Sequence, residues 1–226
     1  MTDSIFRTAL GEERFARLHP MLQRRFGVSL EAGYACIGRG TMDLIRRGPW
    51  WTVPFLLVGR LRHILVADTG VRVPFTIENY PYRDPFGRET VTFVREYRVR
   101  RRPARFDATM VLDARRGVVV DYLGTHQHLA VDLDLDVDER GGLVLRSAEQ
   151  RFYEGPLAFR FPLLFSGSAE LHERWDEERS AFHISLVVRN RALGFLFGYE
   201  GWFECEFPAA TDAPARLKPV RHERRL

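Results

Sequence analysis

The chain has 226 residues, 34 basic and 30 acidic, a net charge of +4 and 45% hydrophobic content. That suits one large β domain with a real core, since sandwiches and barrels reach this size without splitting, and it excludes a disordered or fibrous chain. The two charge signs are mixed along most of the sequence, which excludes the one-sided basic surface of a nucleic-acid binder. Every basic residue but Lys218 is an arginine, a mark of codon composition rather than chemistry.

The first fifteen residues hold no apolar core of signal-peptide type, and the longest apolar run, Pro49 to Gly59, is too short to span a bilayer. A cytoplasmic protein with no membrane span is expected. Cys36 and Cys205 are too few for a disulfide framework or a zinc cluster and read as buried thiols. No cofactor is expected: there is no G-x-x-x-x-G-K-[ST], no strand-linked G-x-G-x-x-G and no G-x-S-x-G elbow.

In chain order, residues 1–27 read as a helical segment. Ser4 can cap a turn holding Ile5, Phe6 and Leu10, which Gly11 interrupts. Phe15, Leu18, Leu22 and Phe26 recur at spacings of three and four, one apolar stripe that Gly27 stops and that Pro20 must kink or split. Such a stripe needs a sheet to cover.

Residues 28–207 read as eight to eleven antiparallel strands. Gly48 to Leu57, with Trp50 and Trp51 between two prolines, is an irregular connection or short helix that is either core or a lid over a hydrophobic cavity. Phe161 to Phe165 and Leu193 to Gly198 could serve similarly. Asp84-Pro85-Phe86-Gly87 suits a type I turn. With a four-residue loop, one hairpin face carries Glu78, Tyr80, Tyr82, Glu89, Val91, Phe93, Arg95 and Tyr97, and Glu78 faces Arg95 closely enough for an inward ion pair.

His126 to Asp138 alternates most strictly, placing His126, His128, Asp132, Asp134, Asp136 and Asp138 on one face. Two imidazoles two residues apart with Asp132 beside them are weak candidates for a metal set, and none is the main expectation. The plainer reading is a solvated charge ladder, with Asp134 and Asp136 paired to arginine such as Arg146 and a bend at Gly124 turning only the histidines inward. Residues 208–226 read as a loose basic tail with Arg216, Lys218, Arg221, Arg224 and Arg225.

Four motifs, Val73-Pro74-Phe75-Thr76-Ile77-Glu78-Asn79-Tyr80, Phe86-Gly87-Arg88-Glu89-Thr90-Val91, Asp121-Tyr122-Leu123-Gly124-Thr125-His126-Gln127-His128-Leu129 and Glu149-Gln150-Arg151-Phe152-Tyr153-Glu154-Gly155, carry a resemblance. Together they resemble the bacterial family called domain of unknown function 4166 (DUF4166), from the Ile5 helix to about Phe207. The resemblance implies no activity and no catalytic residues. It implies that members occur alone or, in related proteins, joined to a nucleotide-binding dehydrogenase-like domain, and no such domain is expected in this sequence.

The sequence thus predicts a mainly β single domain: a large curved antiparallel sheet or an open or closed barrel, with N-terminal helices on its concave side. The expected function is binding of a hydrophobic small molecule or lipid-like ligand by Tyr80, Tyr82, Phe93 and Tyr97, with Trp50 and Trp51 near the mouth. One alternative is an enzyme using His126, His128 and an acid, with Glu78 and Arg95 as further candidates. Another is an accessory module for a dehydrogenase-like partner.

Overall fold

The computed structural model describes residues 3–52, 68–99, 103–160 and 167–226. Three short helices come first: α1 (Ile5–Leu10), α2 (Glu12–Arg17) and α3 (Pro20–Phe26). Ser4 caps α1 by accepting the Arg7 N–H, and Gly11 ends it. Pro20 splits the stripe rather than kinking it, because it sits at the first position of α3, where no N–H is needed.

Twelve strands follow among the described residues: β1 (Cys36–Arg47), β2 (Gly70–Asn79), β3 (Pro81–Arg83), β4 (Glu89–Tyr97), β5 (Ala104–Asp113) and β6 (Val118–Leu123), then β7 (Leu129–Val137), β8 (Leu143–Glu154), β9 (Leu157–Arg160), β10 (Ser168–Asp176), β11 (Ala181–Asn190) and β12 (Gly194–Glu206). Ten of them close a barrel in the order β10, β11, β12, β1, β2, β4, β5, β6, β7, β8 and back to β10. Closure comes at β8, whose first half pairs with both β7 and β10 and whose second half leaves to pair with β9. A closed ring removes the exposed edges that a sheet of this size would otherwise present.

The helices plug one end of this barrel. Phe6 meets Phe26 edge-on at 5.0 Å and Phe93 of β4 at 5.7 Å. Arg14 and Arg17 of α2 donate to the carbonyls of Leu135 and Val137 at the end of β7. Ile5, Phe6, Leu10, Phe15, Leu18, Leu22 and Phe26 are all buried, and full burial of a side chain of this size contributes about 1.5–3 kcal/mol. No helix among the described residues is long and apolar enough to cross a membrane.

Two sequence expectations change here. The Leu193 to Gly198 stretch is no lid: β12 starts at Gly194 and buries Leu196 and Phe197 completely. Val53 onward in the tryptophan-rich stretch, and Phe161 to Phe165, lie outside the described residues. The tail is not loose. Residues 208–226 run along the outer wall, where Val111, Val120, Tyr122, Ala130 and Tyr153 form a separate apolar cluster beside them. Tyr122 and Tyr153 donate their hydroxyl protons to the carbonyls of Arg225 and Leu226.

Glu223 anchors that tail. Its backbone N–H donates to Gln127 Oε1 at 2.7 Å, and its carboxylate receives Arg225 and Arg221. Burial works to raise the Glu223 carboxyl, but the Arg225 hydrogen bonds outweigh it and hold it down at about 2. A carboxylate depressed in the folded state contributes stability above its ordinary value of 4.5 and loses it as the pH falls toward about 2. Glu223→Ala is expected to cost about 1–3 kcal/mol at pH 7 and to speed proteolysis of the tail. Urea titration and timed trypsin digestion measure both, and an unchanged digestion rate would show that Glu223 anchors nothing.

Candidate functional site inside the barrel

Residues paired directly across strands share a face, so the register decides what points inward. The Asp84 to Gly87 turn forms, with the Gly87 N–H donating to the Asp84 carbonyl. Gly87 then takes a left-handed step at φ 78°, which adds a residue to the loop, and Arg83 pairs with Glu89 instead of Arg88. One residue of slip swaps every face. Phe75, Ile77, Phe93, Arg95 and Tyr97 share the interior, while Glu78, Tyr80 and Tyr82 lie on the outside with Thr90, Val94 and Glu96.

The Glu78–Arg95 pair is therefore not formed. Glu78 binds Arg216 of the tail through two hydrogen bonds of 2.7 Å. Tyr82, 1% exposed, is covered by the tail, with Lys218 over its ring and His222 3.4 Å from its hydroxyl. Tyr80 and Tyr82 thus lie outside, whereas Phe93 and Tyr97 face the interior.

Arg95 stands in the middle of the interior, 5% exposed, its guanidinium over Phe106 at 4.9 Å and Phe93 at 5.8 Å. Its Nε has no hydrogen-bond partner. The carboxyl of Asp121 on β6 faces the same interior, because Asp121 pairs with Met110, itself opposite Val91; its Oδ1 also lacks a partner. Burial pushes the Asp121 carboxyl up to about 7, and the pull of Arg95 only partly opposes this. Tyr97 and Tyr199 lie with ring centroids 5.4 Å apart, their hydroxyls unpartnered. Burial raises Tyr97 well above the usual phenol range, so it stays a neutral donor.

Nearer the helical plug, Arg25 of α3 is enclosed. It binds Glu173 of β10 with two nitrogens and donates to Asn79 Oδ1 at 2.8 Å and Cys36 Sγ at 3.2 Å. Its guanidinium also stacks 4.9 Å from the Phe203 centroid. Burial works against the charge of Arg25, and Glu173 more than offsets that. Burial pushes the Glu173 carboxyl up, with Arg25 the largest opposing influence. Among the described residues Glu173 is bonded to Arg25 and only more weakly pulled by Arg95, whose neighbouring carboxyl, Asp121, is pushed up to about 7.

The histidines lie elsewhere. The bend at Gly124 exists, with φ 77°, and Gln127 adds φ 51°, so β7 starts at Leu129. The His126 and His128 rings stack 5.6 Å apart, and His128 stacks on Phe152. His128 Nδ1 lies 3.0 Å from the Tyr153 carbonyl and 2.8 Å from Glu154 Oε2, and Arg221 donates to the His126 carbonyl. These partners belong to β8 and the tail, on the outer wall. Asp132 is clamped by Arg116 and Arg151, so the three metal candidates do not converge. Among the described residues no group of three or more His, Cys, Asp and Glu is arranged for a metal ion. The register sets Arg146 opposite Asp134 and Leu145 opposite Leu135, as expected, but the charges pair differently. Arg146 binds Glu170, and Asp136 Oδ1 accepts the Val137 N–H.

Trp50 and Trp51 follow β1 at the end opposite the plug, 78% and 52% exposed. A cleft of about 540 Å³ opens there between Leu44, Ile45, Arg46, Arg47, Val71 and Phe195. Asp121, Glu173 and Arg25 escaped the sequence reading, although a signal exists. Asp121 sits at period two with Val119 and Leu123, Glu173 with Leu171 and Trp175, and Arg25 on the helix stripe of Leu18 and Leu22.

Comparison with known proteins adds family membership but no chemistry. Residues 18–203 match the family model described as "Domain of unknown function (DUF4166)". "Uncharacterized protein YndH" of Bacillus subtilis (strain 168) is 28% identical over 189 residues, covering 84% of this chain and 91% of the relative. No solved structure matches.

Proposed function

Since the chain belongs to the DUF4166 family, whose description assigns no activity, we propose from its own interior that it binds a hydrophobic small molecule bearing one anionic head group, such as a carboxylate. The observation that carries this reading is Arg95, buried and with its Nε unpartnered, beside unpartnered polar atoms of Asp121, Tyr97 and Tyr199. An uncompensated buried guanidinium is costly, and a carboxylate fits its fork with two parallel hydrogen bonds. Phe75, Phe93, Phe106 and Phe197 supply an apolar wall for the rest of the ligand. A cytoplasmic location belongs to this proposal and is consistent with two free cysteines.

The test is titration with dansylaminoundecanoic acid and its methyl ester, followed by dansyl fluorescence. Saturable binding of the acid, at least tenfold weaker for the ester and for Arg95→Met, is expected from the loss of one buried charge-assisted bidentate contact. No saturable binding, or equal affinity in Arg95→Met, overturns the proposal. A second reading, acid–base chemistry on the bound molecule, is favoured by Asp121, whose carboxyl at about 7 can give or take a proton at neutral pH. It requires that a bound molecule be chemically changed, which mass spectrometry of recovered ligand reads.

A further inference from the structure

We propose that the barrel end opposite the helical plug docks on the surface of an anionic lipid bilayer, with Trp50 and Trp51 set into the interface. Isolated exposed apolar side chains are ordinary on a protein surface, but two neighbouring indoles are not. Trp50 and Trp51 stand edge-on at 6.0 Å, 78% and 52% exposed, in a 3₁₀ turn whose third residue, Thr52, is fully buried. The knob is therefore seated on the protein while its rings project. Val71, 71% exposed, lies at the same end, paired with Leu44 of β1.

Charge complementarity selects the occupant. Arg46, Arg47, Arg72, Arg98, Arg189 and Arg191 are all exposed. The register gathers them at this end: Ile45 pairs with Gly70, Arg47 with Phe197, Arg189 with Phe195, and the Arg98 N–H donates to the Pro74 carbonyl. Among the described residues none of these six forms an ion pair. Basic residues near an anionic lipid surface each strengthen binding about fivefold, and indole rings settle at headgroup level, where one edge is wet and the other apolar. A polyanion such as nucleic acid would satisfy the arginines but has no apolar layer for the paired indoles and Val71. The inference rests on this end of the barrel and not on what the interior binds.

The test is co-sedimentation of the full chain with phosphatidylglycerol-containing vesicles and with pure phosphatidylcholine vesicles, read together with tryptophan emission. The expected result is binding to the anionic vesicles alone, a blue shift in emission, and weakening by salt. Trp50→Ala/Trp51→Ala and Arg46→Glu/Arg47→Glu should each lose at least tenfold in vesicle affinity with unchanged melting temperature, as all four residues are exposed. Arg95→Met should keep vesicle binding, which separates this surface from the interior site. Absence of binding, equal binding to neutral vesicles, an equal blue shift with soluble heparin, or full binding by either double variant overturns the proposal.

Discussion

Replacing Arg25 by methionine is expected to lower the unfolding free energy by about 3–5 kcal/mol, the usual cost of removing one partner from a buried ion pair, with a fall in melting temperature of roughly 10 °C. Arg25 is 2% exposed, as is Glu173. Without the guanidinium, the Glu173 carboxylate has no hydrogen-bonding cation, and Asn79 Oδ1 and Cys36 Sγ lose a donor. The arginine also ties the plug to the wall, since its contacts reach β1, β2, β10 and β12 from α3. The double variant Arg25→Met/Glu173→Leu should recover most of the loss, because an apolar pair of similar volume needs no desolvation of charge. Urea titrations of the three proteins decide the matter. A single variant no less stable than a surface substitution would falsify the account.

Asp121→Asn is expected to act in the opposite sense, with a gain that grows between about pH 4 and about pH 7 and then levels off. A carboxyl whose pKa is raised by folding, here from 3.8 to about 7, makes its favourable contribution below its unfolded value and loses it as the pH rises through about 7. The interval of about three pH decades, at about 1.4 kcal/mol each, sets a ceiling of about 4 kcal/mol on what ionisation costs at pH 8 and above. Asparagine cannot ionise, so the variant should exceed the parent by about 2–4 kcal/mol at pH 9, by about 1–2 kcal/mol at pH 5 and by almost nothing below about pH 4. Ligand affinity should follow the same titration. As Asp121 ionises it competes for Arg95, so binding of the dansylated acid weakens as the pH rises through about 7 in the parent and stays flat in Asp121→Asn. Parallel stability–pH curves for the two proteins would refute it.

The β character, the helical stripe over Phe15 to Phe26, the Ser4 cap and the placing of the helices on the concave side were legible, because each depends on local periodicity or on a capping residue. The interior was legible only in part. The odd residues of β4 read correctly as inward, since Val91, Phe93 and Tyr97 outweigh Arg95. Their partners did not, because one left-handed glycine after the Asp84 turn moves the register by a residue and sends Tyr80, Tyr82 and Glu78 outside. Asp121, Glu173 and Arg25 look like surface charges in a short window. They are inside because the ring closes over both faces of that decision: β8 pairs with β10, and the helices fill the end. Likewise the arginines of the tail give no hint that Glu223 and the tyrosine hydroxyls hold them to the wall.

Closure through β1 and β12 bears on how the molecule is made. The first strand to leave the ribosome gains β2 as a neighbour early, but its other neighbour is the last strand to be synthesised. Until then β1 offers a bare hydrogen-bonding edge, and the plug lacks the Glu173 and Phe203 that Arg25 requires. Pairings so distant in the chain form slowly, which leaves nascent copies time to meet edge to edge. Arg39, Arg46 and Arg47, exposed along β1 with Asp43 as the one opposing charge, leave a net positive edge in every copy, which disfavours two unfinished chains joining there.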